Sequence, residues 1–373
     1  MDTLAAALVL MIAMSFGRFA FTGLYPAMVS QGQITVEGGS YAASANYAGY
    51  LAGALLTAFW TGIPGRRQCG WSAAMTVITL ALLGVPLPEW LVVVLRGLAG
   101  VFSAFGLVGA SHWLIQERQH RHGAAAMFAG VGAGIFVSAE LIAAGNAAGL
   151  SSYSIWLILA AAALVLAVAA AVLQARTARA APPLPSMASL PEQEGKGALK
   201  AAQLVGAYGL AGLGYIITAT YLPLLLRATF AGIDPAHLWA VFGLSAAPSC
   251  FLWHGLHVRW GTRRSLITNL ALQAVGVALP VMHASAAYLL SALLVGGTFM
   301  GTVTIALPAA RKLAAGMRLN MIAVMTAAYG VGQIVGPLIA NTVYRRTQSF
   351  DTSLLIAAGA LSLAAGLCFR SKD

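Results

Sequence analysis

Three charged side chains fall well inside the hydrophobic runs of this 373-residue chain: Arg18, Arg96 and Glu140. Arg18 sits in the middle of a run from Leu4 to Met28, long enough to cross a bilayer. A cation at mid-membrane costs several kcal/mol, about 2.5–3.5 on insertion scales, so it normally faces a partner or a watery cavity. At α-helical spacing Ser15, Arg18, Thr22 and Tyr25 share one face, a polar stripe expected to line a central cavity. A guanidinium there is either a bidentate anchor for a carboxylate or phosphate, or an internal ion pair or carbonyl clamp that locks the fold. Glu140, about two turns from the end of its run, is a candidate proton carrier, because desolvation disfavours the charged carboxylate. Its alternatives are a salt bridge to Arg18 and a side chain snorkelling to the interface. Arg96 opens a stripe of small residues, Gly100, Ser103, Gly106 and Ala110, suited to close helix packing. On its residues alone it reads as a side chain that snorkels to the headgroups.

The spacing from Gly17 to Pro26 returns from Gly214 to Pro223, with Tyr215 at the position of Arg18. Two related halves follow, and any anion is held from one side. Asn46, Tyr50, Gln333, Thr298 and Thr302 are uncharged candidates for the cavity wall, each either a ligand contact or an interhelical hydrogen-bond partner.

Composition supplies the frame. The chain is 60% hydrophobic and 8% charged, against about 25% charged in soluble domains. It reads as an all-α polytopic membrane protein with twelve spans: 4–29, 41–63, 71–87, 89–115, 124–147, 152–174, 201–226, 237–258, 265–282, 285–309, 320–343 and 351–369. All eight tryptophans fall near span ends, as interface residues do. The formal net charge of +11 is a matter of topology. Of 21 basic residues, 16 fall in segments on the N-terminal side of the membrane and 3 on the other, leaving Arg18 and Arg96 within spans. Both termini are thus placed in the cytoplasm, and no nucleic-acid partner is implied. With Asp2 where a signal peptide has basic residues, the first run reads as a retained span. The Pro-rich polar stretch around Pro182, Pro183, Pro185 and Pro191 divides the chain into bundles 1–174 and 201–373 joined by a linker, 175–200. Six plus six spans with matching first helices is the pattern of a two-bundle transporter.

Several stretches resemble the major facilitator superfamily, and within it the YbfB/YjiJ-type branch. They are Gly17-Arg18-Phe19-Ala20-Phe21-Thr22, Asn46-Tyr47-Ala48-Gly49-Tyr50-Leu51-Ala52-Gly53-Ala54, Gly296-Gly297-Thr298-Phe299-Met300-Gly301 and Tyr329-Gly330-Val331-Gly332-Gln333-Ile334-Val335-Gly336-Pro337-Leu338. Arg96-x-x-x-Gly100-x-x-x-Ala104 is similar to the superfamily's fourth-span arginine motif, which implies a role in proton coupling. Gly65-Arg66-Arg67 and Gly261-Thr262-Arg263-Arg264 resemble the tail of its inner-loop motif, although both loops lack the acid that usually precedes the glycine.

The resulting expectation is a monomeric secondary transporter of the bacterial inner membrane. It moves a small organic solute by alternating access, coupled to protons, and favours an amphipathic or aromatic monoanion over a sugar. A multidrug or metabolite efflux antiporter is the nearest alternative, and a membrane sensor or assembly partner that does not turn over is the alternative in another class. No Walker sequence, catalytic cluster or metal-ligand spacing is present, so neither a cofactor nor an enzymatic reaction is expected.

Overall fold

A computed structural model describes residues 1–59, 62–120, 123–178, 199–227, 234–314 and 321–369. The proline cluster of the linker and Trp60 lie outside the described residues. Every regular element among the described residues is helical. The rods are α1 Asp2–Ser30, α2 Val36–Phe59, α3 Gly65–Leu83, α4 Glu89–Glu117, α5 Ala124–Ala147, α6 Ser152–Ala178, α7 Ala201–Arg227, α8 Pro235–Ala278, α9 Ser285–Ala314, α10 Met321–Thr347 and α11 Asp351–Phe369. Among the described residues, eight helical stretches are long and apolar enough to cross a membrane. One of them runs 48 residues from Pro235 to Met282. At 1.5 Å per residue that is about 72 Å, over twice a hydrocarbon core. The break lies at Gly261, whose φ of 75° and ψ of 172° suit a residue without Cβ. This separates the arms 235–260 and 262–278, close to the two spans expected there.

The rods α1–α6 pack chiefly among themselves, as do α7–α11. The two groups meet along α5–α8, α2–α10 and α1–α7. Small residues make the closest approaches: Gly49 and Gly100 each rest directly on backbone of the facing helix, at Gly97 and Asn46, so α2 and α4 touch main chain to main chain. Gly132 of α5 and Gly243 of α8 do the same across the seam between groups.

Side-chain bonds define the bundle's ends. At one end Arg118 pairs with Asp2 at 2.8 Å and Glu117 accepts from the Gly65 N–H at 2.6 Å. The carboxylate missing ahead of Gly65 in sequence thus comes from α4, at the positive N-terminus of α3. Arg263 donates to the Cys368 carbonyl at 3.0 Å, capping the C-terminus of α11. At the opposite, distal end, Glu89 accepts from the Thr35 N–H at 2.7 Å and Asp351 pairs with His283 at 3.0 Å.

The tryptophans correct one expectation. Trp71, Trp90 and Trp260 are exposed on the perimeter, but Trp113, Trp156, Trp239 and Trp253 are buried between helices. Proximity to a span end fixes depth in the membrane, not the face of the helix.

Candidate functional site

α1 is not a uniform α-helix. From Met11 to Phe19 it widens into a π-helical turn, a feature that often marks functional positions. The wider turn breaks the predicted stripe. Ser15 points into α5, donating to the Val131 carbonyl at 2.7 Å. Tyr25 faces the distal end and donates to the Val36 carbonyl at 2.7 Å. Thr22 is buried between them. Arg18 alone of the stripe points at α10.

Arg18 is 4% exposed. One of its amino groups donates to Gln333 Oε1 at 3.0 Å. Its guanidinium carbon lies 4.3 Å from the ring centre of Tyr50, 4.9 Å from Tyr47 and 5.4 Å from Phe19. Three ring faces thus give the cation some electrostatic support. No described carboxylate does. Asp2, Glu37, Glu89, Glu117, Glu140, Asp234 and Asp351 are each engaged elsewhere. The Arg18 Nε has no acceptor.

Gln333 joins the two positions that the internal repeat equates. Its Oε1 accepts from Arg18, and its Nε2 donates to the Tyr215 hydroxyl. Tyr215 lies in an aromatic column, nearly parallel to Phe299 at 5.6 Å and to Tyr329 at 5.7 Å, and Tyr208 continues the column at 4.4 Å from Tyr329. Phe299 also contacts Phe19 and Phe242, and Trp239 donates to the Phe19 carbonyl at 3.0 Å.

Arg96, 2% exposed, neither snorkels nor meets a carboxylate. Its two amino groups donate to the carbonyls of Gly17 and Arg18, each at 2.8 Å. Its guanidinium lies 4.5 Å from the Phe21 ring centre. Asn46 in turn donates to the Arg96 carbonyl at 2.8 Å. The carbonyl clamp weighed for Arg18 is made by Arg96 instead, and it fixes the backbone from which Arg18 projects. Thr302 and Asn269 bond each other at 2.6 Å and tie α9 to α8, while the Thr298 hydroxyl returns to its own helix. The ring between them, Phe299, is what α9 brings to the site.

Glu140 stands apart from Arg18. It pairs with His237 at 3.1 Å, with the two side chains 40% and 50% exposed, on the seam between α5 and α8. Glu37 with Arg345 at 3.3 Å and Asn146 with Asp234 at 2.7 Å also bridge the two groups at this distal end. Tyr221 bonds Ser40 at 2.8 Å beneath them and stacks on Phe350. A cavity of about 300 Å3 opens near Gln31, Asn146 and Asp234, and Arg18 is not among its lining residues. The distal end is therefore shut above Arg18. Glu140→Gln removes the carboxylate from the tie to His237 and weakens it. The expected result is a larger population of long distances between spin labels at Ala148 and Ala286 than in the unaltered chain.

A family model described as the uncharacterised MFS-type transporter YbfB matches residues 10–369. The chain belongs to this family of the major facilitator superfamily. Among solved structures, the crystal structure of the nucleoside transporter NupG aligns with a TM-score of 0.72 at 14% identity, covering 99% of each chain. Its D323A mutant aligns at 0.69 and 13%, also over 99% of each. No curated protein matches. A YbfB-type chain with this fold is a membrane transporter and not an enzyme.

Sequence reasoning found Arg18, Tyr50, Asn46, Arg96, Tyr215 and Gln333, which the structure gathers in one network. It missed Tyr47, Phe299, Tyr329 and Trp239. Tyr47, Phe299 and Tyr329 stand inside the family-like stretches, where a count of polar groups and charges passes over rings.

Proposed function

We propose that this chain is a secondary active transporter that moves a small organic anion by alternating access and draws on a proton gradient. The observation that carries the reading is the Arg18 guanidinium, buried where the two groups of helices meet and answered by the neutral Gln333 amide instead of a carboxylate. A buried cation without a counter-ion is costly, and a translocated anion supplies one. In this reading the chain crosses the membrane twelve times, with the two arms of α8 as separate spans and both termini in the cytoplasm of a bacterial inner membrane. The bundles 1–174 and 201–373 rock about Arg18 while the linker 175–200 keeps them joined. The protein works as a monomer. Of the carboxylates, Glu140 is the one set within a span, and its pairing with His237 across the seam makes it the candidate for coupling. Uptake and efflux use the same geometry.

The test is the melting temperature of the purified protein against organic anions, cations, nucleosides and other neutral solutes. A ligand at 100 times its dissociation constant stabilises by about 2.7 kcal/mol. Stabilisation by anions supports the reading. Stabilisation confined to nucleosides, or to cationic and neutral drugs, overturns it. Binding without flux in proteoliposomes identifies a sensor.

A further inference from the structure

We infer that Gln333 is an internal stand-in for the substrate's carboxylate, and that the substrate is a planar aromatic or heteroaromatic monocarboxylate. The inference rests on the anion reading of Arg18 and goes beyond it in naming the ligand's shape and the residue that yields to it.

The Gln333 side chain ends in a flat O=C–N group, the same shape as a carboxylate with one oxygen replaced by NH2. Its oxygen lies 3.0 Å from an Arg18 amino nitrogen, a normal hydrogen-bond distance for a carbonyl acceptor. Both side chains are buried, Gln333 at 1% exposure and Arg18 at 4%. The neutral amide takes one bond where a carboxylate takes a charge-assisted pair. It leaves the Nε of Arg18 without an acceptor. A buried fork of donors answered only by a neutral amide oxygen and the Tyr50 hydroxyl is an anion site filled by weaker ligands.

The amide is also attached to the aromatic column. Its nitrogen donates to the Tyr215 hydroxyl, and the Tyr215 ring lies within 20° of parallel to Phe299 and Tyr329. Flat faces beside a guanidinium accept an aryl ring whose carboxylate lies in the ring plane. When such a ligand binds, its carboxylate displaces Gln333 Oε1 from Arg18. The direct tie between α1 and α10 is lost and replaced by one through the ligand, so occupancy of the site and the contact between bundles are linked. Gln333 competes with the substrate, and the apparent affinity is lowered by the fraction of Arg18 that the amide holds.

The experiment compares benzoate with cyclohexanecarboxylate, equal in charge and close in size, as thermal stabilisers of the full chain and of two variants. In the unaltered protein benzoate should half-saturate at about two- to ten-fold lower concentration, the worth of a stacked ring. Gln333→Glu places a carboxylate permanently on Arg18. It should raise the melting temperature without ligand and erase the benzoate shift. Gln333→Leu frees Arg18, so benzoate should bind at least as tightly while the ligand-free protein melts lower. Equal half-saturation by the two acids overturns the aromatic assignment and leaves the anion reading standing. An undiminished benzoate shift in Gln333→Glu, or a lost one in Gln333→Leu, overturns the stand-in role. Absence of any anion effect in both the unaltered protein and Gln333→Leu removes the anion reading together with this inference.

Discussion

If the substrate is the organic anion proposed above, Arg18→Met leaves the ligand-free protein at least as thermostable as the unaltered chain and abolishes transport. The two halves of this expected result separate the roles open to the residue. A guanidinium that locks the fold contributes more through its bonds than it costs to bury. The bonds of Arg18 within the chain are all to neutral groups: the Gln333 amide at 3.0 Å, the Tyr50 hydroxyl, and three ring faces at 4.3–5.4 Å. Against them stands the burial of an unpaired cation, and replacing buried charge with an apolar side chain of similar volume is often neutral or stabilising. Methionine fills the space and removes the charge. Binding behaves oppositely. Truncating one partner of a desolvated charge pair costs about 2–5 kcal/mol, which is about 30- to several-thousand-fold in affinity. Arg18→Lys keeps the charge, loses the planar fork and falls between the two. The measurements are melting temperature and flux in proteoliposomes at matched incorporation. A melting temperature that falls by many degrees in Arg18→Met, with flux retained in the survivors, makes Arg18 a structural lock.

How much of this was legible in the sequence follows from which physical rule each feature obeys. Apolar run lengths placed the rods closely, because a bilayer fixes span length. The repeat from Gly17 to Pro26 and Gly214 to Pro223 singled out Arg18 and Tyr215 as a pair, and the structure brings both onto one glutamine. Facing was less legible. Ser15 and Arg18 are three residues apart and share a face on a regular α-helix, but the π-helical turn at Met11–Phe19 sends them to α5 and α10. No local residue pattern signals such a turn. The clamp that holds it comes from Arg96, 78 positions away. Rings were misjudged for a related reason. Trp239 was expected at the interface by its place in the run, yet it lies in the core and donates to the Phe19 carbonyl. Apolar and polar edges are equally visible in sequence, but which edge meets a neighbour is a property of tertiary packing.

Arg96→Met should lower both stability and substrate affinity, in contrast to Arg18→Met. Both arginines are buried and both lack carboxylates, so the difference lies in what each leaves behind. Arg96 donates to the carbonyls of Gly17 and Arg18 at 2.8 Å each. These belong to a segment whose hydrogen-bond ladder already departs from the α pattern. Removing the donor strips both carbonyls of a charge-assisted bond in a dry interior, and each such bond is worth about 1.5–3 kcal/mol. That outweighs the relief from removing a charge, which Arg96 also sets against the Phe21 ring at 4.5 Å. The affinity loss is indirect. With the substrate on Arg18 as proposed, Arg96 acts at one remove: it fixes the main chain from which Arg18 projects, and a shift of about 1 Å at such a position is costly. Arg96 is in this sense a positioning residue. Arg96→Lys, with donors enough for both carbonyls, should restore most of the melting temperature and part of the affinity. The fourth-span motif suggests a competing role in proton coupling, and it makes a different prediction: affinity for the substrate is kept, and uphill accumulation driven by an imposed pH gradient is lost. Measuring the dissociation constant and the accumulation ratio in the same variant separates the two. Intact affinity with lost accumulation assigns Arg96 to coupling. Weakened affinity, with accumulation restored at saturating substrate, assigns it to holding Arg18 in place.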